Sequence, residues 1–144
     1  MGNLRNGYFD FSKLEFLPLK SSVKEQDILK YRDFLFNTRN TLELVGKEAT
    51  WLSELKTAAF NSNIARFVFK SDIDTIFFNY LYNTDNIMAK IHARATGTTS
   101  VAAIYPNTLN NLTYRLPIIH EQLKIGKFFK QLDSLIALHQ RKPK

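Results

Sequence analysis

Hydrophobic periodicity changes at Pro117, and this change limits what the chain can fold into more than any other feature. Upstream, apolar residues come in short runs such as Phe34-Leu35-Phe36, Ile64 to Phe69 and Leu112 to Leu116. Downstream, Ile125, Leu132 and His139 recur every seven residues, with Phe128/Phe129 and Leu135/Ile136 between them. Short alternating or continuous runs suit strands, and heptad spacing suits a helix that presents one stripe. A chain with both needs a sheet-containing body followed by one long helix. The expected fold class is therefore mixed α/β (α+β). It combines a twisted, mainly antiparallel sheet with a protruding C-terminal helix from about Ile118 to Lys142, ended by Pro143. Residues 1–117 make the expected globular domain and residues 118–144 the helix.

Within the body, residues 1–13 are polar and turn-rich and are expected to be loose. Strands are predicted at Leu14 to Leu19, Asp33 to Asn37, Leu44 to Trp51 (pairing back on the preceding one), Ile64 to Lys70 and Leu112 to Leu116. Lys24 to Arg32 reads as loop or a short helical turn, and Thr38 to Thr41 as a turn. Ser71 is a suitable N-cap, with Asp74 at the capping-box spacing. Ile73, Ile76, Phe77, Tyr80 and Leu81 follow at helical spacing. Asn83-Thr84-Asp85 interrupts that helix, and Ile87, Met88 and Ile91 continue it in a second segment. Val101 to Tyr105 fits either helix or strand.

The chain has 144 residues, of which 44% are apolar and 13% aromatic. That supports one domain with a real core and argues against intrinsic disorder away from the ends. No cysteine is present, which excludes disulfides and cysteine-ligated metals. The N-terminal residues do not lead into an apolar stretch of the signal-peptide kind, and no run reaches membrane-span length. A cytoplasmic address and no membrane partner are expected. The net charge of +7 suits a polyanionic partner, with double-stranded DNA the first candidate.

Catalytic signals are sparse. His92, His120 and His139 stand at no metal-ligand spacing. Asp72 and Asp74 lie at a helix start, where acids favour the dipole, so capping explains them better than a carboxylate pair. No phosphate-binding glycine loop, nucleophile elbow or nucleophile–base pair occurs. Hence no enzyme activity, no metal and no cofactor is expected on this chain. Two polar loops are better candidates: Asn37-Thr38-Arg39-Asn40, and Arg94 with Thr98 and Thr99. Arginine can bind guanine bidentately, asparagine can bind adenine, and threonine can meet base or phosphate. Ordinary turns contain the same residue types, so composition leaves both explanations open. On the C-terminal helix, Ile125, Phe128, Phe129, Leu132, Leu135 and Ile136 form a wide apolar face suited to a partner, or to the helix's own domain.

Three stretches carry a family resemblance. The first is Asp33-Phe34-Leu35-Phe36-Asn37-Thr38-Arg39 followed by Val45-Gly46-Lys47. The second is the helical pair ending in Ala95-Thr96-Gly97-Thr98-Thr99. The third runs through Leu109, Leu112, Leu116-Pro117-Ile118-Ile119-His120-Glu121-Gln122, Ile125, Leu132-Asp133 and Ile136. Together they resemble the specificity subunits of type I restriction-modification systems. A full subunit is similar to two such units in tandem. This chain resembles one unit, with a target-recognition domain short before Leu14 and a spacer helix that stops near Arg141. Ile118 stands where the family pattern has a second proline.

The resemblance implies a non-catalytic DNA-recognition subunit, or half-subunit, that directs partner methyltransferase and restriction subunits to one half of a split target. S-adenosylmethionine would sit on the partner modification subunit. The helix would pair with a second copy of itself, as a homodimer, or with the spacer helix of a longer specificity subunit. Two rivals read the same residues differently: a helix-mediated protein-interaction module or inactive remnant whose basic charge is incidental, and a nuclease with a scattered acid cluster.

Overall fold

The computed structural model describes residues 3–18, 20–55 and 57–140. In chain order the elements are β1 (Phe34–Asn37), β2 (Arg39–Asn40), β3 (Glu48–Thr50), β4 (Ile64–Arg66), α1 (Thr75–Tyr82), α2 (Asp85–His92), β5 (Thr96–Gly97), β6 (Ala102–Ala103), α3 (Pro106–Leu109) and α4 (Ile119–Gln140). The class is α+β, as the periodicity implies. The strands form two three-stranded sheets, ordered β3-β1-β4 and β2-β6-β5, and every pair in them is antiparallel.

Strand β1 is buried along its whole length because both of its faces are covered. Phe34 and Phe36 join Phe78, Tyr82 and Ile91 on the helix side, and Leu35 joins Leu4, Leu29, Ala49 and Trp51 on the other. This accounts for an apolar run without polar alternation. The helix-side core is largely aromatic, with Phe34 edge-on to Phe78 at 4.9 Å between ring centroids. The expected pairing of the second strand onto the first is found, Phe34 lying opposite Thr50 and Phe36 opposite Glu48. That second strand is shorter than Leu44 to Trp51, since turns over residues 42–46, with Gly46 left-handed (φ 80°), occupy its start.

Other expectations need correction. Residues 14–18 are irregular rather than a strand, and Phe16 is fully exposed; Leu19 lies outside the described residues. Residues 3–10 are anchored, not loose, because Leu4 is buried and Phe9 sits edge-on to Trp51 at 5.0 Å, while residues 11–13 are exposed. Leu112 to Leu116 pairs with nothing in a ladder; Leu112 and Tyr114 lean on the core from an irregular segment. The segment Thr38 to Thr41 contains β2. The strand from Ile64 ends at Arg66, although Phe67 N still donates to Phe34 O at 2.9 Å.

Helix α1 starts three residues later than Ser71 predicts. Asp74 is the cap, and its carboxylate accepts from Phe77 N at 2.7 Å. The break at Asn83-Thr84 matches expectation, but Asp85, expected within the break, already opens α2 behind its cap Thr84. Helix α4 spans the region where the heptads begin and runs to Gln140; Arg141 and Lys142 of the predicted helix lie outside the described residues.

Candidate nucleic-acid interface

The second sheet brings together the two polar loops, which are some 60 residues apart in the chain. Strand β6 is its middle strand. Arg39 of β2 and Thr96 of β5 both lie opposite Ala103, whereas Asn40 and Gly97 lie opposite Ala102. Residues directly opposite one another share a face. Ala102 is buried and Arg39 and Thr96 are exposed, so the row Arg39–Ala103–Thr96 faces outward. Val101 and Tyr105 alternate with Ala102 and Ile104 and flank the row, at 60% and 54% exposure. A further backbone bond, Leu42 N to Thr99 O at 3.0 Å, ties the first loop to the β5–β6 hairpin.

The hairpin holds its own shape. Thr98 N donates to Val101 O at 2.8 Å, Val101 N donates to Thr98 Oγ1 at 3.2 Å, and Thr98 Oγ1 meets Ser100 Oγ at 3.1 Å. Gly97 has φ 124°, and a Cβ there would stand 2.3 Å from Val101 O, so only glycine fits. Thr99 remains exposed at the tip.

The other candidates do different work. Thr38 is the point where the chain leaves one sheet for the other: its N–H and hydroxyl both donate to Asn63 O, at 2.8 and 2.9 Å, and its carbonyl accepts from Ile104 N. Asn37 is 3% exposed, and its backbone bonds Lys47 and Gly46. Asn40 Nδ2 lies 3.5 Å from Asn37 Oδ1, and Asn40 Oδ1 accepts from Thr41 N at 2.9 Å. Arg94 donates to Thr108 O and Lys90 O, at 2.9 and 2.7 Å, which joins the end of α2 to α3. Arg39 makes no ion pair among the described residues.

Val101 and Tyr105 are not among the candidate binding residues that the sequence offers, and Thr96 stands there only within the second polar stretch. Their signal is the alternation through residues 101–105, which fits helix as well as strand until β6 is seen paired on both sides.

Helix α4 has two working faces. Gln122, Gly126, Phe129 and Asp133 lie on one face at spacings of four, three and four, and they rest on α1. At Gly126 the helix backbone comes close to the chain's own α1: a Cβ there would meet Phe77 N at 2.9 Å. Beside that face run Ile125, Phe128, Leu132, Leu135 and Ile136, between 36% and 56% exposed, with Phe129 shared between the two at 41%. Burial, with the hydrogen bond to and the charge of Asp133, raises the Tyr80 phenol well above its usual range, which keeps it a donor to Asp133 at 2.6 Å.

Among the described residues no cluster of His, Asp or Glu is arranged to hold a metal ion, and no helix is long and apolar enough to cross a membrane. The family model of the type I restriction modification DNA specificity domain matches residues 15–144. No curated protein matches the chain.

Proposed function

The chain belongs to the family of type I restriction-modification DNA specificity domains, and from this premise we propose that it reads one half of a split DNA target with the outward face of its second sheet. Its role is DNA target recognition. The observation that carries the finer reading is the exposed row Arg39–Ala103–Thr96 beside the rigid hairpin tip. Arg39 reads a base edge, Thr99 meets base or phosphate, and Val101 supplies an apolar contact of the kind a thymine methyl accepts. Asn37, Thr38, Asn40, Arg94 and Thr98 support these side chains by holding the loops in place. The chain transfers no methyl group and cuts no DNA in this reading; modification and restriction subunits do so. Residues 1–117 form the recognition domain and residues 118–144 the spacer helix. The seam Ile125, Phe128, Leu132, Leu135 and Ile136 takes the partner helix.

Selection from a pool of randomised duplexes tests this, with the chain alone and with a modification subunit. One short motif is expected to be enriched. Arg39→Ala should lower affinity for that motif by about 1–3 kcal/mol and relax one base position. If the unsubstituted chain enriches nothing in either form, the reading fails and the protein-interaction alternative, which the exposed seam favours, takes its place.

A further inference from the structure

The contact between α1 and α4 is more specific than coverage of an apolar face requires. At its start, Asp74 N donates to Gln122 Oε1 at 3.1 Å, and Gln122 Nε2 donates to Pro117 O at 2.9 Å. Gln122 is 3% exposed, a rare state for its residue type on a terminal helix. One turn on, Gly126 lets the α4 backbone come against Phe77 N and Asp74 Oδ1, which an added Cβ would meet at 2.9 and 3.0 Å. Further along, Phe129 lies on Tyr80 at 5.1 Å, and Tyr80 donates to Asp133. Asp74 also pairs with Arg32, which stands just before β1 with φ 71°.

We infer that these contacts form a clasp that sets the direction of α4, and of its seam, relative to the reading sheet. Gln122 and Asp133 fasten two points 11 residues apart, which fixes the tilt of the helix. The flat contact at Gly126 fixes its rotation. Asp74 serves as cap of α1, acceptor for Arg32 and donor to Gln122, so the helix is registered against the central sheet. Residues 134–140 carry the seam beyond the clasp as a lever. Resting on the function proposed above, the clasp sets the gap between half-sites when two seams pair; Gln122, Gly126 and Tyr80 are positioning residues for target spacing.

The chain contains no cysteine, so Ser100→Cys and Leu138→Cys, both at exposed positions, give a unique pair of spin labels. Pulsed dipolar spectroscopy on the labelled full chain, diluted with unlabelled chain, reads the distance from hairpin to helix end. One narrow distribution is expected. Gly126→Ala should shift its centre, and Gln122→Ala combined with Tyr80→Phe should broaden it, with helix content unchanged by circular dichroism. A broad distribution in the labelled parent, or the same centre and width in all three chains, overturns the clasp. On duplexes carrying paired half-sites, Gly126→Ala should change the preferred gap and keep affinity for a single half-site. A shifted label distance with an unchanged gap overturns the link to spacing. Absence of duplex binding by every chain, parent included, counts against the proposed function, and the label distances still decide the clasp.

Discussion

Glu48 is the residue whose chemistry departs furthest from its sequence context. In Val45-Gly46-Lys47-Glu48-Ala49 it reads as the polar member of a strand, yet it is fully buried. Burial pushes its carboxyl up to about 8, against the opposing hydrogen bonds from Asn83 and Gly7. Asn83 Nδ2 donates to one carboxylate oxygen, while the other oxygen and Asn83 Oδ1 are buried with no partner among the described residues. A proton on Glu48 removes the buried charge and turns one carboxylate oxygen into a donor. Between about pH 4.5 and about 8 the folded chain then holds a proton that the unfolded chain has lost, so stability falls as pH rises through that window and levels off above it. The slope is at most about 1.4 kcal/mol per pH unit. Glu48→Gln keeps both hydrogen-bonding groups and removes the titration. Urea midpoints measured across the window should decline for the parent and stay flat for the variant; parallel profiles would show that Glu48 is ionised in the folded state.

At the scale of elements, legibility follows length. Helix α4 repeats its pattern over 22 residues, and its extent is readable within a residue or two at its start. Strand β1 is readable because four successive residues are buried. Strands β2, β5 and β6 have two residues each, too few to show any period, and they exist because distant segments complete their ladders. The seam of α4 belongs to this scale too. Burying one large apolar side chain contributes roughly 1.5–3 kcal/mol, so covering several of them can sustain association. Replacing both Leu132 and Ile136 with Asp should abolish pairing, measured as mass in solution with and without the modification subunit. Both side chains are at least 36% exposed, so the domain itself should melt as before. A parent that is monomeric and binds no modification subunit, or a double variant that behaves like an associating parent, would rule out the seam as an association surface.

For the whole molecule, the net charge of +7 makes a quantitative demand. If basic side chains neutralise phosphates, log K should fall linearly with log salt, by about 0.9 for each phosphate neutralised. Anisotropy titrations of the full chain on a fixed duplex check this. Arg39→Ala should leave the slope unchanged if Arg39 reads a base, and lower it by about 0.9 if Arg39 meets a phosphate. A slope near zero would make the charge incidental to DNA.

The sequence alone determined the class, the change of architecture at Pro117, the long helix and its apolar stripe, and the two polar loops. These properties are local: period, capping groups and residue type are all written within a turn or a short run. Tertiary structure decided which face of α4 its own domain takes, why Gly126 is there, and that the loops around Arg39 and Thr96 meet on one sheet. It also decided that Asn37 is buried and that Arg94 donates to the backbone carbonyls of Thr108 and Lys90. Each of those outcomes depends on a partner tens of residues away, supplied by backbone ladders and packed rings, and no spacing within a short stretch of chain encodes which partner that will be.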